Sequence, residues 1–178
     1  SRRLGISPAE SDHSDIGGVD KDFPQQPMTS ADSASPEAVQ AYTVRTFGMH
    51  IPESQLRAIA RYDSTGHLRS DVTPASIDSQ VLAGCGHPDY ARVKAPILSI
   101  YNIVDSARDL FPRIDEFTPA ARASAERFTR TLQLWAGRHQ AAFKAAEPNA
   151  QILELHHSNH YVFWANEAEV EGAMRGFL

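Results

Sequence analysis

Three features in the second half of the chain predict an α/β fold: a short run that is apolar on both faces, "APILSIY", a long Ala-rich stretch with aromatics at helical spacing, and a second apolar-alternating run, "AQILELHH". A short run without polar alternation suits a buried strand of a parallel sheet. Strand, helix and strand in succession make a βαβ unit. That unit implies parallel strands and a right-handed crossover.

Residues 1–34 are rich in Ser, Asp, Gly and Pro and hold neither a helical nor a strand period, so they read as an irregular loop segment. The first helix signal is "SPEAVQAYTVRTFG", with Ser35 as N-cap, Pro36 at the first helical position and Gly48 as stop. A second short helix is expected in "IPESQLRAIARY", and a third in "TPASIDSQVLAG" between Thr73 and Gly84. Residues 35–88 therefore read as a helical segment with few strand signals.

From residue 89 onward the pattern is strand, long helix, strand, helix. Thr118 and Pro119 open the long helix. Phe128, Leu132, Trp135 and Phe143 line it, and Pro148 and Asn149 end it. "ANEAEVEGAMRGFL" closes the chain as a helix, with Asn166 and Glu169 in capping-box spacing. Two parallel strands do not make an independent sheet, because parallel sheets need neighbouring strands and cover on both faces.

Composition narrows the function. The chain has 178 residues, 42% hydrophobic, a net charge of -5 and a mean hydropathy of -0.38. An acidic balance argues against nucleic-acid or anionic-membrane partners, which reward basic patches. No apolar stretch approaches bilayer length, and no signal peptide is visible. A single cysteine, Cys85, rules out an internal disulfide framework and a Cys-rich zinc site and fits a reducing, cytoplasmic compartment. Because the first residue is Ser1 rather than Met, the expectation leaves room for a lost leader.

In open parallel sheets reactive groups gather at the carboxyl ends of strands. Two polar loops fall there. "YNIVDSARD" carries Asp105, and "HHSNHYVF" carries His160 with His156 and His157 just before it. A βαβ unit puts both loops on one edge of the sheet. An Asp there can fix the tautomer of an imidazole and stabilise the imidazolium that forms when the ring takes a proton. The three histidines have three readings: a base with bystanders, a metal site, or structural residues at a strand end. Adjacent histidines point to opposite faces of a strand, and no His-Glu-x-x-His helix is present, which weighs against metal.

Several of these segments resemble the C-terminal half of the α/β-hydrolase fold: "APILSIYNIVDS" its acid-bearing strand and loop, "SNHYVF" its histidine turn, and "EVEGAMRGFL" its final helix. The resemblance covers residues 89–178, and 35–88 more loosely as a helical cap. It implies Asp105 as the acid, His160 as the base, no cofactor and no metal. "YNIV" stands where the family more usually has a Gly before the acid's loop. Tyr161 is a candidate at the border of the cleft. His156 and His157 are then bystanders.

Other residues have plainer readings. Asp105 alone suits a turn or helix cap. Asp109 is its rival inside a short helical turn, and Asp115 reads as surface. Cys85 lies between two glycines with no strand before it, which is no nucleophile elbow. Tyr161, Phe163 and Trp164 read as core anchors of the last helix. Met28, Tyr42, Phe47 and Met49 read as the helical segment's own core rather than an acyl pocket.

A nucleophile is missing. The chain contains no Gly-x-Ser-x-Gly; the nearest string, "GISPA", has Pro8 after Ser7, and proline has no N–H to give an oxyanion hole. The expectation is a cap and C-terminal part of a longer hydrolase that acts on an ester, amide or related small molecule. The nucleophile would come from a missing N-terminal half or a partner. The scaffold also hosts dehalogenases and epoxide hydrolases with an Asp nucleophile. The competing expectation is a non-catalytic α/β fragment or partner-binding protein. A response-regulator-like module is weaker still, for want of an acidic pair and a Lys at other strand ends.

Overall fold

The computed structural model describes residues 22, 24, 26–73, 77, 80, 81 and 90–178. The chain divides into two compact units, one over Gln26–Asp89 and one containing Tyr90–Leu178. "GISPA", Cys85 and most of the third expected helix lie outside the described residues.

In the first unit, helix α1 spans Pro36–Phe47. The Ser35 hydroxyl accepts the Ala38 N–H at 3.2 Å, and Pro36 occupies the first turn, where no N–H is needed. Gly48 stops the helix at φ 66, a left-handed conformation that glycine enters without steric cost. Helix α2 is Glu53–Ile59. Val39, Met49, Ile51 and Leu56 are buried, Met28 and Tyr42 are half-buried, and Phe47 is exposed.

The segment with few strand signals also forms one short hairpin. Strands β1 (Ala60–Tyr62) and β2 (Leu68–Asp71) pair antiparallel. The turn between them is built by one side chain. The Asp63 carboxylate accepts the Thr65 N–H, the Thr65 hydroxyl and the His67 N–H at 2.9, 2.7 and 3.0 Å, and Arg69 pairs with it at 2.6 Å. Gly66 takes φ 87. A side chain that satisfies a turn locally can end a helix early, and here α2 stops at Ile59 rather than running to Tyr62.

The second unit is α/β. Strand β3 (Leu98–Ile103) pairs parallel with β4 (Gln151–His156), in register from Leu98 opposite Gln151 to Ile103 opposite His156. Between them run a one-turn helix α3 (Ala107–Leu110), a 3-10 turn at Ile114–Glu116 and the long helix α4 (Pro119–Ala146). The Thr118 hydroxyl caps α4 by accepting the Ala121 N–H. Phe111, Ile114 and Ala125 form one core cluster, with Phe128 packed against it. Phe143 is buried, and its ring meets those of Tyr101 and Tyr90 edge-on. All six β3 residues are half-buried rather than buried, since the sheet of this unit has two strands among the described residues.

The chain ends in two helices, α5 (Val162–Ala165) and α6 (Glu167–Phe177). The expected capping box does not form: Asn166 Oδ1 instead accepts the Ser158 hydroxyl at 2.6 Å. Ser158 is 2% exposed, so its hydroxyl needs an internal acceptor, and it takes the one the cap would have used. A second expectation also changes. Tyr161 and Phe163 are exposed, Trp164 is half-buried, and Val162 enters the core with Leu155 and Val170. No helix among the described residues is long and apolar enough to cross a membrane.

Candidate functional site

Parallel pairing in register brings both strand ends to one edge. Ile103 and His156 are the last residues of β3 and β4 and stand opposite each other. Asp105 follows two residues after Ile103, so its carboxylate reaches across to the end of β4.

There it meets His156. Both carboxylate oxygens lie 3.1 Å from the imidazole Nδ1, and Oδ2 also accepts the His157 N–H at 2.9 Å. Beside a carboxylate acceptor the Nδ1 position carries the proton, which leaves Nε2 with its lone pair. The Asp105 carboxyl is held below the usual range, first by the His156 hydrogen bond and then by the His157 N–H, against the opposing effect of partial burial. His157 stands in the left-handed region at φ 53. This turns the chain sharply after β4, at a cost of roughly 1 kcal/mol for a residue with a Cβ.

The backbone around Asp105 is also held. Asp109 Oδ2 accepts the N–H groups of Asp105 and Ser106 at 2.8 and 2.9 Å. Gln133, on α4, donates from Nε2 to the carbonyls of Val104 and Asp105 at 2.8 and 3.1 Å. Asp115 pairs with Arg108 and stays at the surface.

His160 is placed differently. It is exposed, and its ring meets the Tyr161 ring edge-on with centroids 5.2 Å apart. Tyr161 stacks on Trp164 at 4.9 Å. Among the described residues the hydrogen bonds of the Asp105 carboxylate go to His156 and His157, and none goes to His160. The structure thus brings Asp105 together with the two histidines read as bystanders. The residue pattern held part of the signal, since His156 closes the apolar run of the second strand; the register that sets it beside the acid comes from the fold.

One group of residues could offer metal ligands. Atoms of Asp105, Asp109 and His157 lie within 4.8 Å of one another. His157 Nδ1 is 3.5 Å from Asp105 Oδ2 and 3.4 Å from Asp109 Oδ1. Both carboxylates already accept backbone N–H groups, so the set is an exposed hydrogen-bonded cluster rather than a closed coordination shell. No family model matches the chain, and no curated protein or solved structure matches it.

Chemically, the arrangement can hold an imidazole in one tautomer, accept a proton at Nε2 and stabilise the resulting cation.

Proposed function

We propose that this chain carries the acid and the base of an α/β-hydrolase site acting on an ester, amide or related small molecule, with the nucleophile on polypeptide outside these 178 residues. The observation that carries this reading is the Asp105 carboxylate set against an imidazole Nδ1 at the carboxyl edge of two parallel strands. The base would take the proton of the nucleophile and return it to the leaving group. The half-buried β3 and an open apolar groove beside it, lined by Pro96, Leu98, Ile100, Phe163 and Met174 among others, support a sheet that other polypeptide extends.

His160 is the base on the resemblance of "SNHYVF" to the family's histidine turn. A second reading takes His156 as the base, favoured by its 3.1 Å approach to Asp105. The two lie four residues apart, His156 at the end of β4 and His160 on the loop after it, and the completed protein decides between them.

The test is ester turnover by the protein together with its nucleophile-bearing polypeptide, in wild type and as Asp105→Asn, His156→Ala and His160→Ala. A loss of about a thousandfold or more in kcat identifies the base. The isolated chain is expected to show no turnover above background. Serine-dependent hydrolysis by this chain alone, or full activity in all three variants, overturns the proposal.

A further inference from the structure

We infer that Gln133 is a positioning residue for the Asp105 carboxylate: from the long crossover helix it fixes the backbone on which the acid is mounted. This deepens the hydrolase reading and rests on Asp105 being its acid.

The carbonyls of Val104 and Asp105 stand just past the end of β3, where the strand ladder no longer supplies partners. Val104 is 9% exposed, so an unpaired carbonyl there is costly. An amide NH2 has two donor hydrogens, and Gln133 Nε2 directs one at each of these carbonyls. The opposite side of the same peptide units is held by Asp109, which accepts the N–H groups of Asp105 and Ser106. Asp105 is therefore gripped at its N–H by one helix and at its C=O by another. With both peptide units held, the Cα–Cβ bond starts from a fixed backbone, from which the carboxylate reaches His156 Nδ1 and the His157 N–H. A helix needs no such contact to form: Gln133 lies inside α4, 28 residues along the chain from Asp105. Both recorded donations of its amide nitrogen go to the acid's loop.

A purely structural tie between α4 and the sheet predicts a change in stability alone. Positioning predicts a change in the acid's own titration. The experiment is carbon-detected NMR of the Asp105 carboxyl as a function of pH, on this chain, in wild type, Gln133→Met, Gln140→Met and His156→Ala. Methionine keeps the length and helix preference of glutamine and removes the donor. Gln140 is the control, since it donates from the same helix to Glu154. Gln133 is neutral, so its removal leaves in place the titratable groups that face Asp105 among the described residues, namely His156, His157 and Asp109.

Gln133→Met is expected to raise the Asp105 midpoint toward the ordinary carboxylate range, with unchanged helix content, and Gln140→Met to leave it alone. An unchanged midpoint in Gln133→Met, or an equal rise in both glutamine variants, overturns the inference. If Gln133→Met does not fold, Gln133→Asn, one methylene shorter, carries the same expectation. An unchanged midpoint in His156→Ala strikes at the Asp105–imidazole contact instead, so the two ideas fail separately.

Discussion

Leu155 sits one residue before His156 and ties the end of β4 to the last helices. It is 6% exposed and packs with Val162 and Val170, with Ile100 and Leu153 against the cluster. Leu155→Ala removes three carbons. At about 0.8 kcal/mol per buried methylene the transfer cost is about 2.4 kcal/mol. A residual cavity adds to that. The thin two-stranded sheet can partly collapse onto it, which points to a total of about 3 kcal/mol, at the low end of the range for such substitutions. For a chain of this size that corresponds to a fall in Tm of roughly 6–12 °C. Urea unfolding followed by tryptophan fluorescence measures it, because both tryptophans, Trp135 and Trp164, belong to the unit containing Tyr90–Leu178. Leu134→Ala, at a position 67% exposed on α4, serves as the control and should stay within about 0.5 kcal/mol of wild type. A Leu155→Ala cost below about 1 kcal/mol, or one equal to the control, would refute the claim that this cluster anchors the strand end.

Three further outcomes follow from single contacts. Hydrogen bonds from Arg45 first and then from Thr29 hold the Asp32 carboxyl down to about 2, and the Thr65 hydroxyl first among several donors depresses that of Asp63. A depressed folded-state value means stability that is present above the unfolded value near pH 4 and lost as pH falls through the folded one, so the unit Gln26–Asp89 should weaken below about pH 4 in acid titrations followed by circular dichroism, less steeply in Asp32→Asn. Ser158→Ala removes the buried hydroxyl that Asn166 accepts, and should cost about 1–2 kcal/mol in chemical denaturation. Thr118→Ala deletes the cap of α4 and should cost about 1 kcal/mol by the same measurement, with the loss concentrated in amide exchange of the first helical turn.

Much of the α/β unit was legible because its signals are local. Thr118, Pro119 and the Ala-rich stretch mark the start of α4, and the apolar run before Asp105 marks β3. Where local rules compete, the residues did not reveal the winner. Asp63 carries a turn that could be seen only once its three donors and Arg69 were in place. Asn166 had the spacing of a cap, yet the buried Ser158 hydroxyl claimed its oxygen. Tyr161 and Phe163 are as apolar as Val162, and only the direction of α5 decided that valine faces the core. At the candidate site, Asp105 was identifiable from its place after an apolar strand. Asp109 was visible only as a rival acid and Gln133 not at all, since an acceptor for two N–H groups and a donor to two carbonyls look like ordinary polar residues until the loop is folded.

The sequence by itself determined the order of strand, long helix and strand, and with it the parallel pairing that sends Asp105 and the histidine loop to one edge of the sheet. Only the tertiary structure decided which imidazole meets the carboxylate. The register of β3 against β4 places His156 opposite the acid's strand end, and beyond the left-handed residue His157 the chain buries Ser158 and leaves His160 exposed. Order along the chain is written in local hydrophobic patterning; contact across the edge depends on register and on one backbone angle, which no local pattern encodes.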